Sequence, residues 1–350
     1  MNLYVHFPFC RAKCSYCALL SRAGSTPSAR AAHVARVLRE LPEGRFDTIY
    51  FGGGTPTLCD LSPVLAVLGQ RAEGAEFTVE LHPRDVTDSL LDMLRRGGVN
   101  RISLGVQSFD DRDLAAMGRG HSAAEAEAAF RRVRAVIPNV GLDLIAGWPG
   151  TSETSWRRTV ECAVALDPVH ISCYSLIREP KTRLDLAVRK GMLALPDDDE
   201  ALGRIAWAQD AFAAAGLVRY EVSNYAVPGF ECRHNCSVWQ GEDYVGLGEG
   251  AHGRVGLRRT VGTESGYATS TVTTEEDAFE RAVLGLRTAA GINLAELPRR
   301  FPVLASRMEG WRGCLEELVG HGILRRIAPG HYAPTARGFE VCDAVMAELV

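Results

Sequence analysis

Seven short runs rich in β-branched and aromatic residues, at 3–6, 48–51, 77–81, 101–104, 140–145, 170–174 and 219–222, are separated by stretches with the period of an amphipathic helix. Residues 28–41 place Val34, Val37, Leu38 and Leu41 on one face, and 122–136 open with the capping box Ser122-x-x-Glu125. A chain that repeats strand then helix has few options. Consecutive parallel strands need crossovers, and the crossover helices must cover the sheet. With roughly six such units, fewer than the eight of a closed barrel, the expectation is an α/β fold of the open or partial (β/α)6 barrel kind.

The polar residues gather on one side of this scheme. Cys10, Cys14 and Cys17 follow the first strand, and Gly52-Gly53-Gly54-Thr55-Pro56 follows the second. Glu80 closes the third, Gln107 follows the fourth, Asp143 sits late in the fifth and Asn224 follows the last. In parallel β/α folds the carboxyl ends of the strands carry the site, so these residues are expected at one mouth.

The spacing Cys-x3-Cys-x2-Cys supplies three thiolates from one loop. A [4Fe-4S] cluster held by three protein sulfurs keeps one iron open to an exchangeable small molecule. Two other readings stand beside this one. The same spacing puts small side chains on one helix face, although Pro8 and the lack of apolar neighbours in register weigh against a helix. Zinc would want a fourth ligand, and the candidate is the run Cys232-Arg233-His234-Asn235-Cys236. The triple glycine reads as a tight strand-to-helix turn or as backbone that approaches a ligand closely. It lacks the Lys-Ser/Thr of a phosphate loop and the Gly-x-Gly-x-x-Gly of a dinucleotide fold, which disfavours nucleotide phosphate.

At 350 residues and 46% hydrophobic, the chain can bury one large core and a smaller one. A net charge of -4 argues against a general nucleic-acid binder. The first residues do not read as a leader, no apolar run reaches membrane length, and ten cysteines read as ligands and buried thiols, so the expected location is cytoplasmic. The expected division is a barrel core over 1–262, a Thr/Ser/Gly-rich connector over 263–274, and a C-terminal domain over 275–350 of helices followed by a hairpin, like a winged helix. That last unit holds nine Arg and no Lys against eleven Asp plus Glu, the wrong balance for gripping DNA. It reads as a lid or packing domain, open to a protein partner.

The run Tyr4-Val5-His6-Phe7-Pro8-Phe9 ahead of the cysteines, Tyr50-Phe51-Gly52-Gly53-Gly54-Thr55-Pro56-Thr57, and 100–109 around Gln107 together resemble the radical S-adenosylmethionine (radical SAM) superfamily. Within it the chain is similar to the oxygen-independent coproporphyrinogen III oxidase group, and nearest to the HemW heme chaperones, with further matching runs at 143–150, 170–176 and 220–229. The resemblance implies that Cys10, Cys14 and Cys17 bind a [4Fe-4S] cluster whose open iron is chelated by S-adenosylmethionine. One electron would then cleave the sulfonium to methionine and a deoxyadenosyl radical. By motif position, Tyr4, Tyr16, Gly53, Gly54, Thr55, Glu80, Gln107, Arg119 and Asp143 would contact S-adenosylmethionine. Carboxylates suit an ammonium and ribose hydroxyls, and a guanidinium suits a carboxylate.

Two features separate chaperone from oxidase within this resemblance. The oxidases carry a further cysteine where this chain has Leu19, and an N-terminal extension that is missing here. The chaperones carry His-Asn-x-x-Tyr-Trp, associated with heme, and here the run is His234-Asn235-Cys236-Ser237-Val238-Trp239. His234 would ligate heme iron, with Asn235 and Trp239 beside it, the indole packing on the macrocycle. Val238 in place of Tyr, and Ala18-Leu19 in place of Asp-Phe, are departures. The expected function is a heme chaperone with a heme-accepting protein and an electron donor as partners. No nucleic acid and no membrane span are expected, and peripheral membrane contact is compatible with this. The alternatives are a radical enzyme on a small substrate, oxidase-like or methyltransferase-type, and a structural iron-sulfur or zinc protein.

Overall fold

The computed structural model describes residues 1–350. Strands β1 (Asn2–Phe7), β2 (Thr48–Gly53), β3 (Glu76–Leu81), β4 (Arg101–Gln107), β5 (Val140–Ala146) and β6 (His170–Ser175) pair in parallel and in chain order. The crossovers are helical: α1 (Pro27–Glu40), α2 (Ser62–Leu68), α3 (Asp88–Arg96), α4 (Asp111–Met117), α5 (Ala123–Val136) and α6 (Glu153–Ala165), and α7 (Arg183–Arg189) and α8 (Asp198–Ala214) follow β6. Local sequence sets their starts. Ser122 and Glu125 form the reciprocal capping box of α5, and Thr26 caps α1 ahead of Pro27. Val5, Phe51, Phe77, Leu104 and Leu142 of the sheet meet Val37, Leu65, Leu91, Val133 and Val160 of the helices in one apolar core. Each such side chain contributes about 1.5–3 kcal/mol when fully buried.

The sheet is open, and both its edges differ from the expectation. Residues 219–222 do not make a further parallel strand. The backbone forms β7 (Val218–Arg219) and β8 (Asn224–Ala226), with β8 antiparallel to β6 through Asn224 and Ser172. The chain doubles back here because the Arg219 guanidinium donates to the Val222 carbonyl across the bend, and buried Glu221 accepts from Asn224. After helix α9 (Arg233–Trp239), the other edge gains β9 (Tyr244–Leu247), parallel to β1. An antiparallel meander follows: β10 (His252–Val255), β11 (Arg258–Gly262) and β12 (Tyr267–Thr271). The stretch read as a connector therefore carries a strand. Its Thr, Ser and Tyr suit an exposed edge strand as well as a loop. The full order is β12-β11-β10-β9-β1-β2-β3-β4-β5-β6-β8-β7.

Beyond β12 lie α10 (Thr274–Val283), strand β13 (Ile292–Asn293), α11 (Met308–Gly320) and the hairpin β14 (Leu324–Ala328) to β15 (His331–Pro334). They surround a second apolar core built on Leu286, Leu304, Trp311, Leu315 and Tyr332. This unit docks on the β7 edge. Arg219 pairs with Glu340 at 2.8 Å and lies 4.4 Å from the Phe339 ring centroid, and Glu221 bridges to Thr288.

Candidate functional site

A cavity of about 540 Å³ opens at the carboxyl ends of the parallel strands, and Cys10, Cys14 and Cys17 are half-buried in its wall. No helix runs through residues 11–20, which removes the reading of a helical stripe. The loop is tied down at its middle. Ser15 donates its backbone N–H to Met117 at 2.9 Å and accepts from the Leu184 N–H at 2.8 Å. Burial raises the Cys10 and Cys17 thiols, while Arg119 Nη1 donates to Cys14 Sγ at 3.3 Å. The zinc reading fails on geometry. Cys232 lies off this cavity with its thiol 3.5 Å from Glu76 Oε1, and no three His, Cys, Asp or Glu side chains converge closely enough for a single ion. Three thiols spread around one cavity beside a guanidinium fit a larger, anionic cluster.

Gly53, Gly54 and Thr55 line the same wall, but their N–H groups are engaged within the protein. Gly53 donates to Glu80 Oε2 at 3.1 Å, Gly54 to the Phe7 carbonyl at 2.8 Å and Thr55 to the Phe9 carbonyl at 2.7 Å. A Cβ on Gly54 would stand 2.5 Å from the Phe9 oxygen, and one on Gly52 would stand 2.8 Å from Glu80 Oε1. The glycines thus let the cysteine segment and Glu80 approach this turn closely.

Two carboxylates face the cavity. Glu80 accepts from the Tyr50 hydroxyl at 2.9 Å, and burial, then the nearby Asp143, raise its pKa to about 7. Asp143 accepts from Ser103 at 2.9 Å and is also raised by burial. Arg119 opposes them. Its Nη2 donates to the Gly105 carbonyl, and its Nε is buried without a partner. Burial works against its charge, but Tyr16 and Cys14 more than offset this and its pKa is raised. Gln107 holds the left-handed conformation (φ 74°) where the register between β4 and β5 shifts. Tyr16 lies edge-on to Trp148 at 6.3 Å.

Tyr4 is not on the cavity. His6 Nε2–H donates to the Leu20 carbonyl at 2.8 Å, which leaves Nδ1 to accept from the Tyr4 hydroxyl at 2.9 Å. The Tyr4 ring packs inside the barrel against Tyr50 and His234. Motif reading also missed cavity residues, among them His82, Arg84, Tyr174 and Ile177. His82 had a signal in the sequence: it follows Glu80 by two, the strand period.

His234, Asn235 and Trp239 stand on α9, away from this cavity. His234 is 6% exposed. Thr48 donates its hydroxyl proton to Asn2 Oδ1, so its oxygen accepts from His234 Nδ1–H at 2.8 Å. Burial lowers the His234 pKa to about 4, which keeps the ring neutral. Glu76 accepts the backbone N–H groups of Arg233 at 2.9 Å and His234 at 3.0 Å, holding the helix N-terminus. Trp239 is half-buried under the Arg287 guanidinium, 5.1 Å from its ring. The three motif residues therefore share no open face for a macrocycle in this structure.

An open parallel β/α sheet with a three-cysteine loop after its first strand, and acidic and basic groups around the mouth, defines a protein of the radical SAM class. Residues 4–163 match the family model described as the Radical SAM superfamily. Heme chaperone HemW of Bacillus subtilis (strain 168) is 32% identical over 99% of this chain and 100% of its own length. Heme chaperone HemW of Escherichia coli (strain K12) is 36% identical over 73% of this chain and 70% of its own. The chain belongs to the HemW family of the radical SAM superfamily. The fold is shared with coproporphyrinogen III oxidase (HemN) from Escherichia coli, at a TM-score of 0.83 and 18% identity, over 99% of this chain and 89% of that one.

Proposed function

We propose that this protein is a heme chaperone that binds heme and passes it to an acceptor protein, with a [4Fe-4S] cluster on Cys10, Cys14 and Cys17 and an exchangeable S-adenosylmethionine beside it. The observation that carries the cofactor part is the cavity itself, where three thiols, the Glu80 and Asp143 carboxylates and the Arg119 guanidinium meet. A zwitterionic amino acid matches that charge pattern: ammonium toward the carboxylates, carboxylate toward the guanidinium. Gln107 and Thr55 supply neutral polar contacts, and Tyr16 closes the side toward Trp148. When bound, the cluster and S-adenosylmethionine supply a one-electron cleavage of the sulfonium, and the protein orients them and excludes water. An electron donor is then a required partner.

For heme, the tautomer of His234 supports the reading. With Nδ1–H donated to Thr48, the Nε2 lone pair is free to ligate, the arrangement metal-binding histidines use. In this reading α9 must leave its seat before iron reaches that nitrogen. No helix is long and apolar enough to cross a membrane, and a cytoplasmic site of action is part of the proposal.

Anaerobic reconstitution followed by titration with hemin and with coproporphyrinogen III tests the reading. Stoichiometric hemin binding with no loss of carbon dioxide from the porphyrinogen is expected. Turnover of coproporphyrinogen III without hemin binding would transfer the assignment to the oxidase-like alternative.

A further inference from the structure

His82, which no motif singles out, shares the cavity wall with Glu80 because both lie at the carboxyl end of β3, two positions apart. Its Nδ1 accepts the Arg84 backbone N–H at 3.2 Å, capping the short turn Pro83–Asp85. A neutral imidazole whose Nδ1 accepts carries its proton on Nε2, so the ring offers the cavity a donor. His121 stands edge-on at 5.0 Å and steadies the ring. Burial, followed by the charge of Arg119, holds the His82 pKa down to about 2, which favours the neutral ring.

Arg119 is incomplete as a carboxylate partner. Its Nη1 spends one of two N–H groups on Cys14 and its Nη2 one of two on Gly105, and its Nε has no partner. A carboxylate has two oxygens to satisfy, and the Arg119 N–H groups held by Cys14 and Gly105 are not free to turn toward it, so a neighbouring donor adds to what the guanidinium offers. His82 is close enough for Arg119 to be the leading charge acting on it, and Arg84, on the same wall, adds a positive field.

We propose that His82 Nε2–H joins the Arg119 guanidinium in holding the carboxylate of the amino-acid-bearing ligand in this cavity. This rests on the S-adenosylmethionine reading given above. His82 is a binding and positioning residue: by fixing the carboxylate it fixes where the ammonium meets Glu80 and Asp143.

The test is calorimetric titration of the reconstituted full chain with S-adenosylmethionine and with its decarboxylated analogue, in wild type, His82→Phe and His82→Gln. Phenylalanine keeps a ring and removes the donor, while glutamine places an amide N–H near the position of Nε2. The expected result is about a tenfold loss of affinity for S-adenosylmethionine in His82→Phe, recovery to within about threefold in His82→Gln, and no comparable loss for the analogue. Iron and sulfide content and the thermal midpoint verify that each variant is folded and loaded, and His82→Leu replaces His82→Phe if the larger ring is not tolerated. Equal losses for both ligands, or unchanged affinity in both variants, overturn the proposal while leaving the S-adenosylmethionine reading in place. A wild-type chain that binds the cluster but not S-adenosylmethionine overturns both.

Discussion

The Tyr50 hydroxyl donates to Glu80 Oε1 at 2.9 Å, and the same ring lies 5.2 Å from the imidazole of His234. One side chain thus touches both the carboxylate that faces the cavity and the helix that carries the heme motif. Strand β3 repeats the arrangement. Its Glu80 faces the cavity, while Glu76, four residues earlier and so on the same face, holds the N-terminus of α9. The cavity wall and the seat of α9 are therefore in physical contact through the barrel interior.

Glu80 should make S-adenosylmethionine binding pH-dependent. Its pKa is raised to about 7, and an ammonium needs the ionised form. Affinity is expected to rise as pH increases through about 7, with a proton released on binding below that pH. Calorimetry in two buffers of different ionisation enthalpy reads that proton. Glu80→Gln should abolish the release. Tyr50→Phe removes a bond that favours the charged carboxylate, so it should shift the transition upward. The sign for stability is opposite to that of the usual carboxylate: with the folded pKa above the ordinary 4.5, the Glu80 contribution is lost as pH rises from about 4.5 through 7.

Cys10→Ala, Cys14→Ala and Cys17→Ala should each lose the visible absorption of the cluster on anaerobic reconstitution, since a [4Fe-4S] unit with two protein thiolates is under-ligated. Cys232→Ala and Cys236→Ala should reconstitute normally because both thiols lie off the cavity. Full iron and sulfide in any of the first three variants would remove the cluster assignment.

Gln107 holds a left-handed backbone at a cost of about 1 kcal/mol for a residue with a Cβ. Gln107→Gly should raise thermal stability or leave it unchanged while weakening S-adenosylmethionine binding. A stable variant with undiminished affinity would show that the strain serves no ligand.

His234→Ala should lower hemin affinity and change the Soret band, because it removes the neutral Nε2. Thr48→Val keeps that nitrogen but removes the acceptor that fixes its tautomer, and about a tenfold loss is expected. Wild-type hemin binding in both variants would place heme elsewhere on the protein.

The six parallel strands, the capping box of α5 and the three-cysteine loop were legible because each depends on residues adjacent along the chain: a period, a cap, a spacing. The meeting of Glu80, Gln107, Arg119 and Asp143 in one cavity was legible at one remove, since parallel strands put all their carboxyl ends on the same side. His82 had the period but no motif, so the sequence marked its face without marking its use.

The sequence by itself determined the β/α repeat, the three-cysteine loop and the mouth at which they meet, because local spacing and the handedness of parallel crossovers leave little freedom. Only the tertiary structure decided the sheet edges and the seating of α9. Strand β12 forms because Arg258–Gly262 offers it a partner, not because its own residues exclude a loop. Residues 219–222 bend because Arg219 reaches the Val222 carbonyl instead of continuing along β6. His234 faces inward because Glu76, Thr48 and Tyr50, all more than 150 positions away, receive its helix, and pairings over such distances are set by the free energy of the packed whole.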